Sequence, residues 1–312
     1  MIISASRRTD IPACYANWFF NRLEDQEVFY LNPFNRKHAF RVSLKPEDVT
    51  CFVFWTKNPL PMLKKLDKLS GYNYYFYITI NSYEGDLEPA VSKIRDDIIQ
   101  GFKTLSKRLG KHRLIWRYDP IVVNDKYSES YHIEHFAKLA ESLSDYTTKC
   151  IISFVDLYRT AKRNQKEHSI HETDHDIIHR LSEHLSDIAK RNNLQLETCS
   201  EAVDLTQYGI KNAKCVDGEL IANITNRSDF NTEKDKNQRK ECGCIKSIDI
   251  GAYNSCKHKC PYCYANYNES QIDKNIGKHN PNSKLLVGEL NGDEKIFDVK
   301  PDKPSRNLFN LS

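Results

Sequence analysis

The stretch Cys51-Phe52-Val53-Phe54-Trp55-Thr56-Lys57-Asn58 is a β-rich apolar run that stops abruptly in polar residues. Short runs dense in aromatic and β-branched side chains read as buried strands. A helical pattern over residues 60–69 follows, and then a second apolar run at 74–80. Strand, helix and strand in succession form the unit that joins parallel strands through a right-handed crossover.

The same alternation continues in both directions. Further strands are predicted at 2–6, 113–118, 150–156 and 195–199. Helices are predicted at 13–24, at 88–109 and at 129–146. The second has Val91, Ile94, Ile98, Phe102, Leu105 and Leu109 on one face, closed by Gly110. Another, with Thr173 as its N-cap, turns Ile177, Ile178, Leu181, Leu185 and Ile188 inward. Residues 28–31 and 40–44 flank Asn32-Pro33-Phe34-Asn35 as a hairpin or excursion. Six β-then-α units predict an α/β fold, a full or partial (β/α) TIM-like barrel, with a doubly wound open sheet as the alternative. No GxGxxG follows a strand and no GxxxxGK[ST] is present, which disfavours the usual nucleotide-binding sheets.

Barrels place their chemistry where strands end, and all six predicted strands end in polar residues. Arg7, Asp10, Lys57, Asn58, Asp119 and Asp156 are therefore candidate catalytic or binding residues, and the planar forks of Arg7 and Arg117 suit a carboxylate.

Across 312 residues, 39 % hydrophobic and 28 % charged side chains with a net charge of +4 describe a globular protein whose slight basic excess does not argue for nucleic acid. No run approaches the roughly 18 apolar residues of a membrane span, and the N-terminus lacks a secretory pattern, so a cytoplasmic location and no membrane partner are expected. In a reducing compartment, clustered cysteines point to metal or catalysis. Of ten cysteines, Cys14, Cys51 and Cys150 are isolated at apolar segments and read as buried core thiols, while the other seven begin at Cys199.

Cys256-Lys257-His258-Lys259-Cys260-Pro261-Tyr262-Cys263 has the spacing C-x3-C-x2-C. Three thiolates on a cubane [4Fe–4S] cluster leave one iron open, whereas a purely electron-transferring cluster takes four. An open iron can chelate S-adenosylmethionine, and an electron then cleaves its sulfonium bond to give a deoxyadenosyl radical. The motif resembles the radical S-adenosylmethionine signature, C-x3-C-x-aromatic-C, with Tyr262 at the aromatic position. Over nearly the whole chain the sequence also resembles an uncharacterised radical-S-adenosylmethionine-like prokaryotic family. That likeness rests on Ser4-Ala5-Ser6-Arg7-Arg8-Thr9-Asp10, Phe54-Trp55-Thr56-Lys57-Asn58-Pro59, Asp249-Ile250-Gly251-Ala252-Tyr253 and Tyr262-Cys263-Tyr264-Ala265-Asn266.

The resemblance implies a barrel, a [4Fe–4S] cluster on Cys256, Cys260 and Cys263, S-adenosylmethionine near Tyr262 and Arg117, and an electron donor such as flavodoxin or ferredoxin. It brings no substrate. The signature normally follows the first strand, but here it follows the sixth, so the cluster has to reach the barrel mouth from the far end of the chain.

Cys199, Cys215, Cys242 and Cys244 remain. Four thiolates suit a second [4Fe–4S] cluster or a tetrahedral zinc, and scattered unligated thiols are the other reading. The expected organisation is a barrel-like domain at 1–200, a cysteine-rich segment at 201–268 packed on it, and an irregular tail at 269–312 with one short strand at 284–287. His171-Glu172-Thr173-Asp174-His175 spells H-E-x-x-H, but an N-cap at Thr173 leaves His171 outside the helix, so the zinc-protease reading fails. The mixed-charge run 233–240 reads as a solvated loop. Two rivals stand beside the radical enzyme. One is a nucleic-acid lesion repair lyase resembling spore photoproduct lyase. The other is a zinc-binding non-enzymatic module using Cys242, Cys244, Cys256, Cys260 and Cys263.

Overall fold

Successive side chains on a strand face opposite ways, and buried parallel strands need a cover on each face. A computed structural model describes residues 1–158 and 161–301 of this chain. Its elements run β1 (Ile2–Ala5), α1 (Ile11–Cys14), α2 (Ala16–Glu24), β2 (Glu27–Leu31), β3 (His38–Ser43), β4 (Cys51–Thr56), α3 (Leu60–Leu63), β5 (Tyr74–Thr79) and α4 (Arg95–Leu109). There follow β6 (Leu114–Ile121), α5 (Glu129–Leu143), β7 (Lys149–Phe154), α6 (Lys162–Glu167), α7 (His175–Arg191), β8 (Gln195–Thr198), β9 (Lys211–Asn212), α8 (Gly218–Thr225), β10 (Ile248–Asp249), α9 (Glu269–Gly277) and β11 (Lys295–Val299).

The main sheet is parallel, in the order β10-β1-β4-β5-β6-β7-β8-β9. All six predicted strands are in it, within a few residues of the expected bounds. Its alternate residues divide cleanly between two cores. Phe52, Phe54, Phe76, Trp116 and Ile152 pack on the face that also receives Phe19 of α2, Phe102 of α4, Phe136 of α5 and Leu185 of α7. Phe54 stacks on Phe76 at 4.8 Å between ring centroids, and Phe19 meets Phe54 edge-on at 5.4 Å. Val53, Tyr75, Tyr77, Ile115 and Ile151 face the other way, against Val216, Ile221, Phe230, Cys242, Cys244 and Ile245.

This second cover bears on the expectation of a full or partial TIM-like barrel: the α/β fold with a parallel sheet is present, and closure into a barrel is not. Among the described residues β9 and β10 do not pair, so the sheet is open. The face that a closed barrel would fill with its own strands is covered instead by the segment 213–245. β9 and β10 on either side of that segment belong to the main sheet.

A second sheet, ordered β11-β3-β2, holds the predicted hairpin as antiparallel β2 and β3. The expected strand at 284–287 reduces to one bridge between Phe29 and Leu285, and β11 pairs with β3 instead. The segment from 269 is thus built from α9 and β11 up to residue 301, and residues 302–312 of the expected tail lie outside the described residues. The helix predicted from Glu88 begins at Arg95, because Glu88 is held by side chains from β4 and the cysteine loop. Asp174, not Thr173, caps α7 by accepting from the Asp176 amide, which still leaves His171 outside the helix.

His132 of α5 is fully buried. Its Nε2 donates to the Val122 carbonyl at 2.9 Å, so Nδ1 accepts from the Tyr118 hydroxyl at 2.8 Å. Burial drives its pKa down from 6.5 to about 4. The unfolded chain therefore takes up a proton that the folded chain refuses, and stability falls as pH drops through this window. The expected loss is about 3 kcal/mol between pH 6.5 and 4. Urea unfolding of His132→Gln across that range should show a correspondingly flatter profile than the parent.

Candidate metal centre at the strand ends

The cysteine loop reaches the sheet through β10. Ile3 and Ser4 of β1 are in register with Ile248 and Asp249, so the chain leaves β10 beside the end of β1. Asp249 joins the two segments. Its Oδ1 accepts from Ser6 Oγ at 2.6 Å and from the Gly251 amide at 2.9 Å, while Oδ2 accepts from the Arg7 amide at 2.9 Å. A Cβ on Gly251 would stand 2.0 Å from Ser6 Oγ, so only glycine fits this crossing. A two-residue strand thereby brings a C-terminal motif to the place where a motif following β1 would lie.

Cys256, Cys260 and Cys263 line one cavity of about 140 Å³, together with Arg7, Asp10, Lys57, Thr79, His258 and Tyr262. Asp10 organises one side of it. Its Oδ1 caps α1 by accepting from the Ala13 amide at 2.9 Å, and its Oδ2 accepts from the Lys57 amide at 2.6 Å and from His258 Nε2 at 2.8 Å. Glu88, only 2 % exposed, organises the other. Its Oε1 accepts from Lys57 Nζ at 2.7 Å, Tyr262 Oη at 2.6 Å and Asn81 Nδ2 at 2.9 Å. The Lys57 ammonium also lies 5.5 Å from the centre of the Tyr262 ring.

Cys14 was expected to be an inert core thiol. It sits on α1, and its sulfur, that of Cys256 and a ring nitrogen of His258 all lie within 4.8 Å of one another, a group that could hold a metal ion. Donation from Cys14 outweighs burial and holds the Cys256 thiol down near 6, with His258 assisting, while the Cys14 thiol is pushed up. Burial works against a charged His258, but the Cys256 sulfur and Asp10 overcome it and raise the imidazole to about 9. His258 Nδ1 is buried with no hydrogen-bond partner. An imidazole held by a carboxylate at one ring nitrogen, with the other nitrogen free beside two sulfurs, is oriented as metal-ligating histidines usually are. Burial raises Cys263 to about 11 and also raises Cys260. Donor set, orphaned nitrogen and cavity together fit a thiolate-bound metal group.

A second cavity of about 420 Å³ adjoins the first, sharing Ser6, Arg7, Trp55, Lys57, Thr79, Tyr262 and Cys263. Arg117, Asp119 and Asp156 line it. Arg117 was expected to bind cofactor but is already engaged, with Nη2 2.8 Å from Asp119 Oδ2 and Nη1 3.1 Å from Cys215 Sγ. Asp156 accepts from Arg239 Nη2 at 2.6 Å at the rim. Asn58 lines neither cavity. It caps the turn into α3 by accepting from the Leu60 amide at 3.1 Å.

Among the described residues, no three of the five cysteines of the zinc-module alternative lie within 4.8 Å of one another, although Cys242, Cys244 and Cys263 line the same 420 Å³ cavity.

The fold and site define an α/β protein with an open parallel sheet whose strand ends carry a cysteine-lined candidate metal centre. The chain belongs to the family described as domain of unknown function DUF1848, whose model matches residues 2–265. No curated protein matches it. Among solved structures, a "putative alpha-L-fucosidase from Bacteroides thetaiotaomicron VPI-5482" is similar at 11 % identity, covering 74 % of this chain and 86 % of that one, with a TM-score of 0.26. That likeness carries no argument. Among the described residues, no helix is long and apolar enough to cross a membrane.

Proposed function

We propose that this chain is a radical S-adenosylmethionine enzyme whose Cys256, Cys260 and Cys263 hold a [4Fe–4S] cluster with one open iron. The observation that carries the reading is that all three thiols of the C-x3-C-x2-C motif line a single cavity at the ends of parallel strands. A cluster bound there would supply the electron that cleaves S-adenosylmethionine to a 5′-deoxyadenosyl radical.

The chain's own residues position that chemistry. Asp10 orients His258 inside the Cys256–Cys260 loop, and the Lys57–Glu88–Tyr262 cluster fastens the turn between Cys260 and Cys263 to the ends of β4 and β5. The adjoining cavity is of a size that suits a small molecule. Arg239, Asp156 and the Arg117–Asp119 pair on its wall favour a polar substrate. The electron would come from a small carrier such as flavodoxin or ferredoxin.

Asp10→Asn keeps an acceptor for the α1 cap but removes the charge facing His258. It is expected to leave the fold intact and to weaken metal retention by about 10–100-fold, the usual effect of losing an outer-shell partner. Chelator competition on the purified proteins measures it.

The test of the function is anaerobic reconstitution with iron and sulfide, followed by reduction in the presence of S-adenosylmethionine. Formation of 5′-deoxyadenosine supports the reading. Its absence from fully iron-loaded, reduced protein refutes it.

A further inference from the structure

Outside the cavity that holds Cys256, four further thiols converge from three separate stretches of chain. Cys199 follows β8, Cys215 follows β9, and Cys242 and Cys244 stand on the loop that covers the inner face of the sheet. The Cys199 and Cys215 sulfurs are 3.6 Å apart. Cys244 lies near enough to both Cys215 and Cys242 to shift their thiols, and all four cysteines line the 420 Å³ cavity as one row.

The surroundings hold the row in place. Tyr75 Oη donates to the Cys215 carbonyl at 2.8 Å, and Tyr77 Oη to the Lys214 carbonyl at 3.3 Å, so β5 fixes the backbone that carries Cys215. The Val216 amide donates to Cys244 Sγ at 3.3 Å. A Cβ on Gly243 would stand 2.9 Å from Lys214 Cγ, so the glycine allows the close approach of the Cys242–Cys244 loop to Cys215. Arg117 places Nη1 3.1 Å from the Cys215 sulfur. The same guanidinium pairs with Asp119 through Nε and Nη2, so Nη1 is the nitrogen it offers to a thiolate at Cys215.

We infer that Cys199, Cys215, Cys242 and Cys244 hold a second, fully ligated iron–sulfur centre on the wall of the 420 Å³ cavity that Cys263 of the other site also lines. The spread of the sulfurs favours a polynuclear core over a lone zinc. A zinc ion with Zn–S near 2.3 Å in a tetrahedron sets every sulfur–sulfur separation at about 3.8 Å. In this row the Cys199 and Cys215 sulfurs are 3.6 Å apart, close enough to share one metal ion, yet no three of the four sulfurs are all within 4.8 Å of one another among the described residues. A core of several irons separates its thiolates further. With every iron ligated, this centre has no open coordination site for substrate.

The inference stands independently of the proposed function, and one experiment separates them. The full chain, Cys242→Ser/Cys244→Ser and Cys256→Ala/Cys260→Ala/Cys263→Ala are purified and reconstituted without oxygen. Iron, sulfide and zinc are then quantified, and reduced samples are examined by electron paramagnetic resonance. The parent is expected to bind about twice the iron and sulfide of either variant. The triple variant, in which the four-thiol row is untouched, should retain a cluster whose signal does not respond to S-adenosylmethionine.

An iron-free triple variant overturns the second centre. So does stoichiometric zinc that is lost with Cys242 and Cys244, or a Cys199–Cys215 disulfide in metal-free protein. An iron-free Cys242→Ser/Cys244→Ser protein that circular dichroism shows to be folded would instead count against the three-cysteine site.

Discussion

Cys260→Ala is expected to abolish 5′-deoxyadenosine formation and to strip the three-cysteine site of its iron, while Cys256→Ala retains part of both. On sequence alone the two cysteines are equivalent members of one motif. Their surroundings are not. The Cys256 sulfur has Cys14 and a His258 ring nitrogen within 4.8 Å, so two alternative donors stand beside it when it is removed. The thiols within electrostatic reach of Cys260 are Cys256 and Cys263, both already committed as ligands in this reading. Cys260 is 5 % exposed, so no solvent donor replaces it readily. Iron analysis and the 5′-deoxyadenosine assay on Cys256→Ala, Cys260→Ala and Cys256→Ala/Cys14→Ala check the ranking. The double variant should fall to the level of Cys260→Ala. Equal loss in all three would remove Cys14 and His258 from any part in holding the metal.

The difference between these cysteines marks what a linear reading can reach. The C-x3-C-x2-C motif is local, and its meaning survives without tertiary structure. The strands were equally legible, because β4 through β7 are nearly continuous apolar runs, as parallel strands buried on both faces must be. β10 was invisible because two residues carry no periodicity, yet it decides where the cysteine loop lands. Cys14 does pack against the main core, but its nearness to Cys256 and His258 was unreadable because Cys256 lies 242 positions away and its own helix is four residues long. Openness of the sheet was likewise unreadable. Strand patterns specify which residues face inward, but not whether strands or a folded-over segment such as 213–245 will cover them.

The polar strand ends gather around two adjoining cavities, but with different partners. Asp10 and Lys57 do line the three-cysteine cavity, whereas Asn58 accepts from the Leu60 amide in the turn before α3 and Arg117 pairs with Asp119 beside Cys215. A charged residue at a strand end declares that something there needs compensation, but its partner is fixed by the third dimension. Glu88 illustrates the converse. It seemed to begin an amphipathic helix, and instead it is the buried anion on which the second wall of the site is assembled.

That buried anion gives the largest expected change in stability. Lys57→Met should cost about 3–5 kcal/mol, the usual range for removing one partner of a buried ion pair. Both groups are desolvated, and desolvation alone would favour their neutral forms. The mutual attraction nonetheless outweighs it, raising the Lys57 pKa and lowering that of Glu88. Without the ammonium, Glu88 keeps only the neutral donors Asn81 and Tyr262, and its folded pKa should rise above the unfolded value. The sign follows from that shift. The penalty in Lys57→Met should ease on acidification, as Glu88 takes up a proton that neutralises it, and grow again as pH rises through the new folded pKa. Replacing both members, as in Lys57→Met/Glu88→Leu, removes the stranded charge, so the double variant should lose less than the sum of the singles. Denaturant unfolding of both single variants and the double at two pH values measures every term. Additive losses with no pH dependence would mean that Lys57 and Glu88 do not act as a pair. The Tyr262 end of the cysteine loop would then be held to the sheet by packing alone.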